Sequence, residues 1–483
     1  MSDRPAPWSL AEENSKQAMK ESYTQEGDVE TTSVHAGEVD ATHRGVFGTA
    51  AAAGGKEYRV LGRWKAGLVF IHTEVGLGIL SLPSVLRTLG LIPGIIAIIG
   101  VGLVATYTAY VYLLYWRRYR HIDNLPDAMR VLGGKALAIV GGIGLLLNLS
   151  LACSSATLTM SVAFNTLTAH SMCTVAFAGF AALICYVLCM PRTLNFVAYF
   201  SGPATLGIIV PIFIVIISLG VARPQNAPVD WHKDMHLVGH PSFRDGFTAI
   251  LSICYAFGGR QAFLTIMAEM ENPSKDFVPA LVILQSFAMP MYVLTGAAIY
   301  GLAGKYVTSP ALGSAPLVPA KVAYGLALVT LFNTGLLYGH AGVKYLYVFV
   351  MRDCLKVPEQ MTRNNIKTWS IWVVLATLFW VWVFVLANAI PVFNNIIGVS
   401  SALLVSWFSF GLPGIFWLHL NWHNQFRDWK MTVKSLLNWL LVLSGAFLNV
   451  AGMWASIDSL VKLFNNPEST VHGPFTCADN SLF

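Results

Sequence analysis

Acidic residues are what this chain has least of. No Asp or Glu occurs between Val131 and Val229, between Phe277 and Met351, or between Gln360 and Arg427. Charged residues are only 12% of the 483, against 55% hydrophobic. That is too little charge to cover the surface of a soluble chain of this size. A cysteine framework is missing too. Of seven cysteines, Cys153, Cys173, Cys185, Cys189 and Cys254 fall in apolar runs, where the residue acts as a small hydrophobe. Cys477 stands in a tail without an obvious partner, so disulfides are expected to explain nothing. Residues 1 to about 60 have no apolar core, which excludes a cleavable leader and predicts a disordered tail.

What is present is a series of uncharged apolar runs, each about as long as a bilayer is thick. Residues 88–116 carry no charge of either sign. The chain is predicted to be an all-α polytopic membrane protein. It has eleven spans, near 64–86, 92–116, 136–168, 172–190, 196–220, 246–270, 277–303, 320–350, 369–389, 393–418 and 435–460. The division at Pro391 is the weakest of these. With the N-terminus in the cytoplasm, the inner segments hold 22 Lys and Arg and the outer ones seven. That asymmetry sets the orientation and leaves a short extracellular tail at 461–483. The net charge of +6 comes from these loops and does not point to nucleic acid.

Against this background the first span, "FIHTEVGLGILSLP", is out of place. Glu74 is the one carboxylate near mid-membrane. A buried ionisable group is costly there and marks a functional site by default. His72, two residues earlier, titrates near neutrality without help. Either Glu74 locks helices together, or one of His72 and Glu74 carries a coupling proton. Gly76 and Gly78, followed by Pro83, allow the helix to break and free its backbone groups. A half-helix starting near Gly78 then points its positive end at the membrane centre, where it attracts a carboxylate.

The sixth span repeats the pattern, with Gly258 and Gly259 at its middle, followed by Arg260 and Gln261. Five spans separate the two interrupted segments. Glycine-broken segments at matching places in two halves are the signature of an inverted-repeat transporter. Because five is odd, the halves run in opposite directions, giving a five-plus-five repeat with an eleventh span appended. Lys344 snorkels to the interface or fills a cation site between spans one and eight. Asn333, Thr334 and His340 line a cavity or bond backbone. Arg260 holds a carboxylate or pairs with Glu74. His232, His236 and His240 read as a solvated loop, and His419 with His423 is too small a set for a di-metal centre.

The stretches "GLVFIHTEVGLGILSLPSVLRTLG", "YAFGGRQAFLTIMAEMENPSKDFVPAL" and "LYGHAGVKYLYVFVMRDCL" resemble the amino acid/auxin permease family, in particular its fungal neutral amino acid permease branch. The resemblance runs over roughly residues 60–460. It implies the amino acid–polyamine–organocation superfold and secondary active transport of L-amino acids, coupled to protons in fungi. It places the first substrate-binding break at Val75, Gly76, Leu77, Gly78, Ile79 and Leu80, and the second at Phe257 to Gln261. His72 falls where sodium-coupled relatives place an Asn, which favours protons. Gly-Gly-Arg departs from the Ala-Gly-His or Ala-Gly-Asn of fungal relatives, and an Arg at the site favours an acidic substrate.

The expectation is therefore a proton/L-amino-acid symporter of the plasma membrane that needs no cofactor or metal. The substrate carboxylate meets N–H groups at Gly76–Ile79, and the ammonium meets carbonyls at Tyr255, Phe257 and Gly258, with Gly259 and Arg260 alongside. The alternatives are a vacuolar exporter of the same fold and an amino-acid sensor. An intramembrane enzyme is disfavoured, since no catalytic cluster is visible. Oligomeric state is not legible.

Overall fold

The computed structural model describes residues 61–192, 195–357, 365–465 and 473–480. The tail expected at 1–60 lies outside them. Among the described residues the regular secondary structure is helical, with one isolated bridge between Leu61 and Met270. Among these residues nine helices are long and apolar enough to cross a bilayer, and a bent pair supplies a tenth crossing.

That pair is α1 (Arg63–Glu74) and α2 (Leu82–Leu89), joined by a 3-10 turn at Leu77–Ser81 and bent by 43°. Next come α3 (Leu91–Arg118), α4 (Leu125–Thr168), α5 (Thr174–Leu188) and α6 (Asn195–Val221). The expected fourth span corresponds to α5. Its 15 residues reach about 22 Å at 1.5 Å each, short of the full hydrocarbon thickness. The sixth span is broken: α7 (Phe243–Ala256), a 3-10 turn at Gly259–Ala262, and α8 (Phe263–Glu269). Then follow α9 (Pro273–Ala303), α10 (Leu317–Phe349), α11 (Ile366–Ala389), α12 (Phe393–Ser400), a π-helical stretch at Ser401–Gly411, α13 (Leu412–Leu420) and α14 (Trp429–Phe464). The boundary at Pro391 falls as expected, between α11 and α12.

One expectation is met through a break inside α4, and one is corrected. Asn124 caps α4, its side chain accepting from the Asp127 N–H. Gly133 and Gly134 (φ +68°) have non-helical backbone and divide α4 into a short leading helix and the long spanning one, which starts at Lys135, close to the expected 136. The correction concerns Cys173, which is not inside a span. It stands just before α5, disulfide-bonded to Cys477. Their separation of 304 residues hid the pairing, because spacing alone carries no connectivity. The tail around Cys477 is further fixed by Thr174 Oγ1 donating to Ala478 O (2.7 Å), Asn165 Nδ2 to Asn480 Oδ1 (2.6 Å) and Phe475 N–H to Asn388 O (3.0 Å).

Small residues allow the helices to approach. α10 packs on α4, α6 and α11. A Cβ at Gly339 would lie 2.5 Å from Trp380 of α11, and one at Gly342 would lie 2.6 Å from Phe379. This is the small-residue contact of membrane bundles. α9 lies along α1 and α3, and α14 covers the π-helical stretch. The outward face of α14 shows Leu436, Leu440, Leu443, Phe447, Val450 and Trp454, a stripe suited to lipid.

Candidate functional site

Both interruptions follow from local chemistry. α1 ends because Glu74 and the residues after it leave the helical ladder: the Gly76 N–H turns back to Glu74 O at 3.0 Å. Gly78 then lets α2's entry turn lie against α7, where a Cβ would come within 2.5 Å of Ala256 Cα. In the sixth span Gly258 has no room for a side chain between Tyr255 O (2.9 Å) and Val405 (3.2 Å). The carbonyls freed at the breaks find donors. Tyr338 donates to Thr73 O at 3.0 Å. The Tyr292 hydroxyl sits 2.7 Å from Ala256 O and 3.0 Å from Glu74 O, so one phenol serves both breaks.

Between the breaks lies a cavity of about 50 Å³ of water-accessible space, enough for a few waters. The first break lines it with His72, Thr73, Glu74, Gly76, Leu77 and Gly78, and the sixth with Tyr255, Gly258, Gly259 and Gln261. α4 adds Asn148 and Ala152, and α10 adds Thr334, Leu337 and Tyr338. Ser400 and Val405 close the remaining side. The walls are mainly neutral, with backbone edges, hydroxyls and two amides. That is the pattern of a pocket for a small polar ligand with a modest apolar part.

Arg260 does not border this cavity. Its Nη1 pairs with Glu74 Oε2 at 2.6 Å, and both side chains are 0% exposed. The guanidinium also donates to Ala105 O and Phe257 O and lies near the rings of Phe257 and Phe263. The sequence offered Arg260 as either a substrate clamp or a partner of Glu74; the geometry is that of the partner. Val75, Ile79 and Phe257 are buried behind the lining residues rather than among them.

His72 is differently placed. It borders the cavity, its Nε2 is 2.7 Å from Asn333 Nδ2, and its Nδ1 is 3.5 Å from Thr205 Oγ1. The Asn333 amide therefore donates to Nε2, which leaves the proton on Nδ1. Asn333 Oδ1 is buried without a partner. Thr334 lines the cavity while its hydroxyl bonds Thr330 O at 2.9 Å. His340 bonds Pro191 O at 2.9 Å, the backbone role allowed for it. Lys344 does not border the cavity; its charge is attracted to Glu269 at the end of α8.

Sequence reasoning missed Thr73, Asn148, Ala152, Leu337, Tyr338, Ser400 and Val405. Nothing in α4, α10 or the π-helical stretch interrupts the apolar pattern strongly enough to mark them. Asn148 alone gave a signal, as an amide inside an uncharged span.

The chain is similar along most of its length to known proteins. A "Transmembrane transporter" of Fusarium pseudograminearum is 26% identical over 437 residues, covering 89% of each chain. A protein of the same description from Gibberella moniliformis is also 26% identical over 437 residues, covering 89% of this chain and 90% of that one. The "N amino acid transport system protein" of Neurospora crassa is 28% identical over 463 residues, covering 93% of this chain and 95% of that one. The family model described as "Transmembrane amino acid transporter protein" matches residues 59–458. With that match over most of its length, and with two broken helices meeting around a mainly neutral cavity, the chain belongs to the transmembrane amino acid transporter protein family.

Proposed function

We propose that this amino acid transporter is a proton-coupled symporter of neutral L-amino acids at the plasma membrane, with its N-terminus inside and the Cys173–Cys477 face outside. The observation that carries the reading is the neutral cavity between the two breaks, with the nearest strong charges, Glu74 and Arg260, already paired. The substrate carboxylate meets the positive end of the turn at Leu77–Ser81. The ammonium takes the second lone pair of the Tyr255 carbonyl, which already accepts from the Gly258 N–H at 2.9 Å. Since Arg260 is paired with Glu74 and no Lys or Arg is among the described residues that line the cavity, a neutral substrate fits better than an acidic one.

His72 carries the proton in this reading. When it is protonated, both ring nitrogens donate. Asn333 then turns its amide over and offers Oδ1, the acceptor that lacks a partner beside the neutral ring. Glu74 is held by Arg260 and serves as a clamp between the breaks. The five-plus-five repeat supplies two opposed halves that rock around the site, and each positive charge moved inward gains about 2.3 kcal/mol per 100 mV of potential. Competition of a labelled amino acid by a panel of neutral, acidic and basic ones, with and without a pH gradient, tests the reading. Neutral competitors should win and accumulation should follow the gradient. Preference for Asp or Glu, or indifference to pH, overturns it.

A further inference from the structure

Two hydrogen bonds cross from α4 to the broken sixth span, one on each side of the cavity. Nearer the disulfide face, the Tyr255 hydroxyl and Ser155 Oγ are 3.3 Å apart. Nearer the opposite face, Gln261 Nε2 donates to Asn148 Oδ1 at 3.0 Å. The spans are antiparallel, so the later residue on one pairs with the earlier on the other. Asn148 and Ser155 are seven residues apart, two helical turns, and share one face of α4. Ala152 lies between them on that face and borders the cavity. Seven residues of helix rise about 10.5 Å, enough for the backbone and a modest side chain of one amino acid.

We propose that these bonds are the two latches of the substrate compartment: Tyr255–Ser155 closes it toward the disulfide face and Gln261–Asn148 toward the other. This rests on the transport reading above and adds to it the residues that set which face is open. Tyr255 stands on α7 and Gln261 on the turn that leads into α8, and both bond to the continuous part of α4 beyond Gly134, so the half-helix on either side swings away when its latch parts. Gln261 Oε1 is buried without a partner, so the inner latch holds by one bond and leaves a lone pair for water or ligand when it opens. A bulky side chain meets Tyr255 and Ser155 before the outer latch can close, which makes this pair a determinant of substrate size.

The test places a reporter cysteine at the middle, Ala152→Cys, and measures its reaction with a charged, membrane-impermeant thiol reagent applied from each side in turn. The parent without the reporter gives the background from Cys153 and the other thiols. Tyr255→Phe and Ser155→Ala each remove the outer latch. Each should speed labelling from the disulfide face about fivefold, the worth of one net hydrogen bond, and the double variant should add nothing more. Ser155→Thr keeps a hydroxyl and should return the parent rate. Asn148→Ala and Gln261→Met should speed labelling from the opposite face instead. Both sets shifting labelling in one direction, or neither shifting it, overturns the proposal. Uptake measured in the parent separates the two readings. If labelling responds but no amino acid is taken up, symport fails and the latches stand.

Discussion

Two buried polar pairs lie within a few residues of each other in α1, and they are built for different work. Glu74 and Arg260 are both 0% exposed, joined at 2.6 Å, with the guanidinium further bonded to backbone and set among phenyl rings. His72 and Asn333 are neutral partners at the cavity edge, with one amide oxygen left over. The first pair also leaves Glu74 Oε1 and Arg260 Nη2 without a hydrogen bond, but it is charged and resists change, because parting it strands a charge in a low-dielectric interior. The second has a spare acceptor and a ring with two protonation states, so it can change partners at little cost. Burying a charge thus makes a lock, while a neutral imidazole beside an amide makes a switch.

The largest effect expected from breaking this contrast is on the lock. Arg260→Met leaves Glu74 unpaired and should cost about 3–5 kcal/mol, read as a collapse in folded yield and Tm. The double variant Glu74→Gln/Arg260→Met should recover most of that loss; if the double is as unstable as the single, the pair is not the clamp. Next is the backbone approach that brings the two breaks together. Gly78→Ala drives a methyl against Ala256 and should cost about 1–3 kcal/mol, as overpacking does. Gly76→Ala meets no atom within 4 Å and should leave Tm unchanged; equal losses at both positions would show that space is not what the glycines supply.

The switch is tested by His72→Gln, which keeps a polar group but cannot carry a proton. Uptake down a concentration gradient should persist, while accumulation loses about tenfold per pH unit of gradient for each coupled proton. Full proton-driven accumulation in this variant would return the coupling role to Glu74. The smallest effect is expected at an exposed pair. Lys305 Nζ is 2.7 Å from Asp234 Oδ2, with the side chains 53% and 54% exposed. The hydrogen bond and charge of Lys305 hold the Asp234 carboxyl below its ordinary value. Whatever stability this gives is present above the ordinary carboxylate pKa and lost as pH falls through the lowered one. Lys305→Ala should not measurably shift Tm at neutral pH, and any shift seen there should vanish in acid.

How much of this was legible beforehand differs by element. Long uncharged runs announced the spans, because lipid tolerates little else, and the paired glycines announced both breaks. Arg260 was legible as a residue out of place, but its direction was not: whether a long side chain folds back onto Glu74 or reaches forward to a ligand depends on packing by Phe257 and Phe263 across the break. Ser155 left no trace in α4, and Asn148 stood out only as an amide in an uncharged span, because their meaning comes from what lies opposite them. The Cys173–Cys477 bond was invisible for the same reason. Side chains that act alone left a trace in the pattern; those that act in pairs across the fold did not.

Tyr292 has a single hydrogen to give and two oxygens within reach, one on each broken helix. An O–H that turns from Ala256 O to Glu74 O, its proton staying on the phenol, keeps the count of satisfied groups constant while the two fragments slide relative to one another. The phenol thereby works as a bearing: small displacements at the centre of the membrane are accommodated by rotation about one C–O bond instead of by exposing bare amide dipoles to lipid.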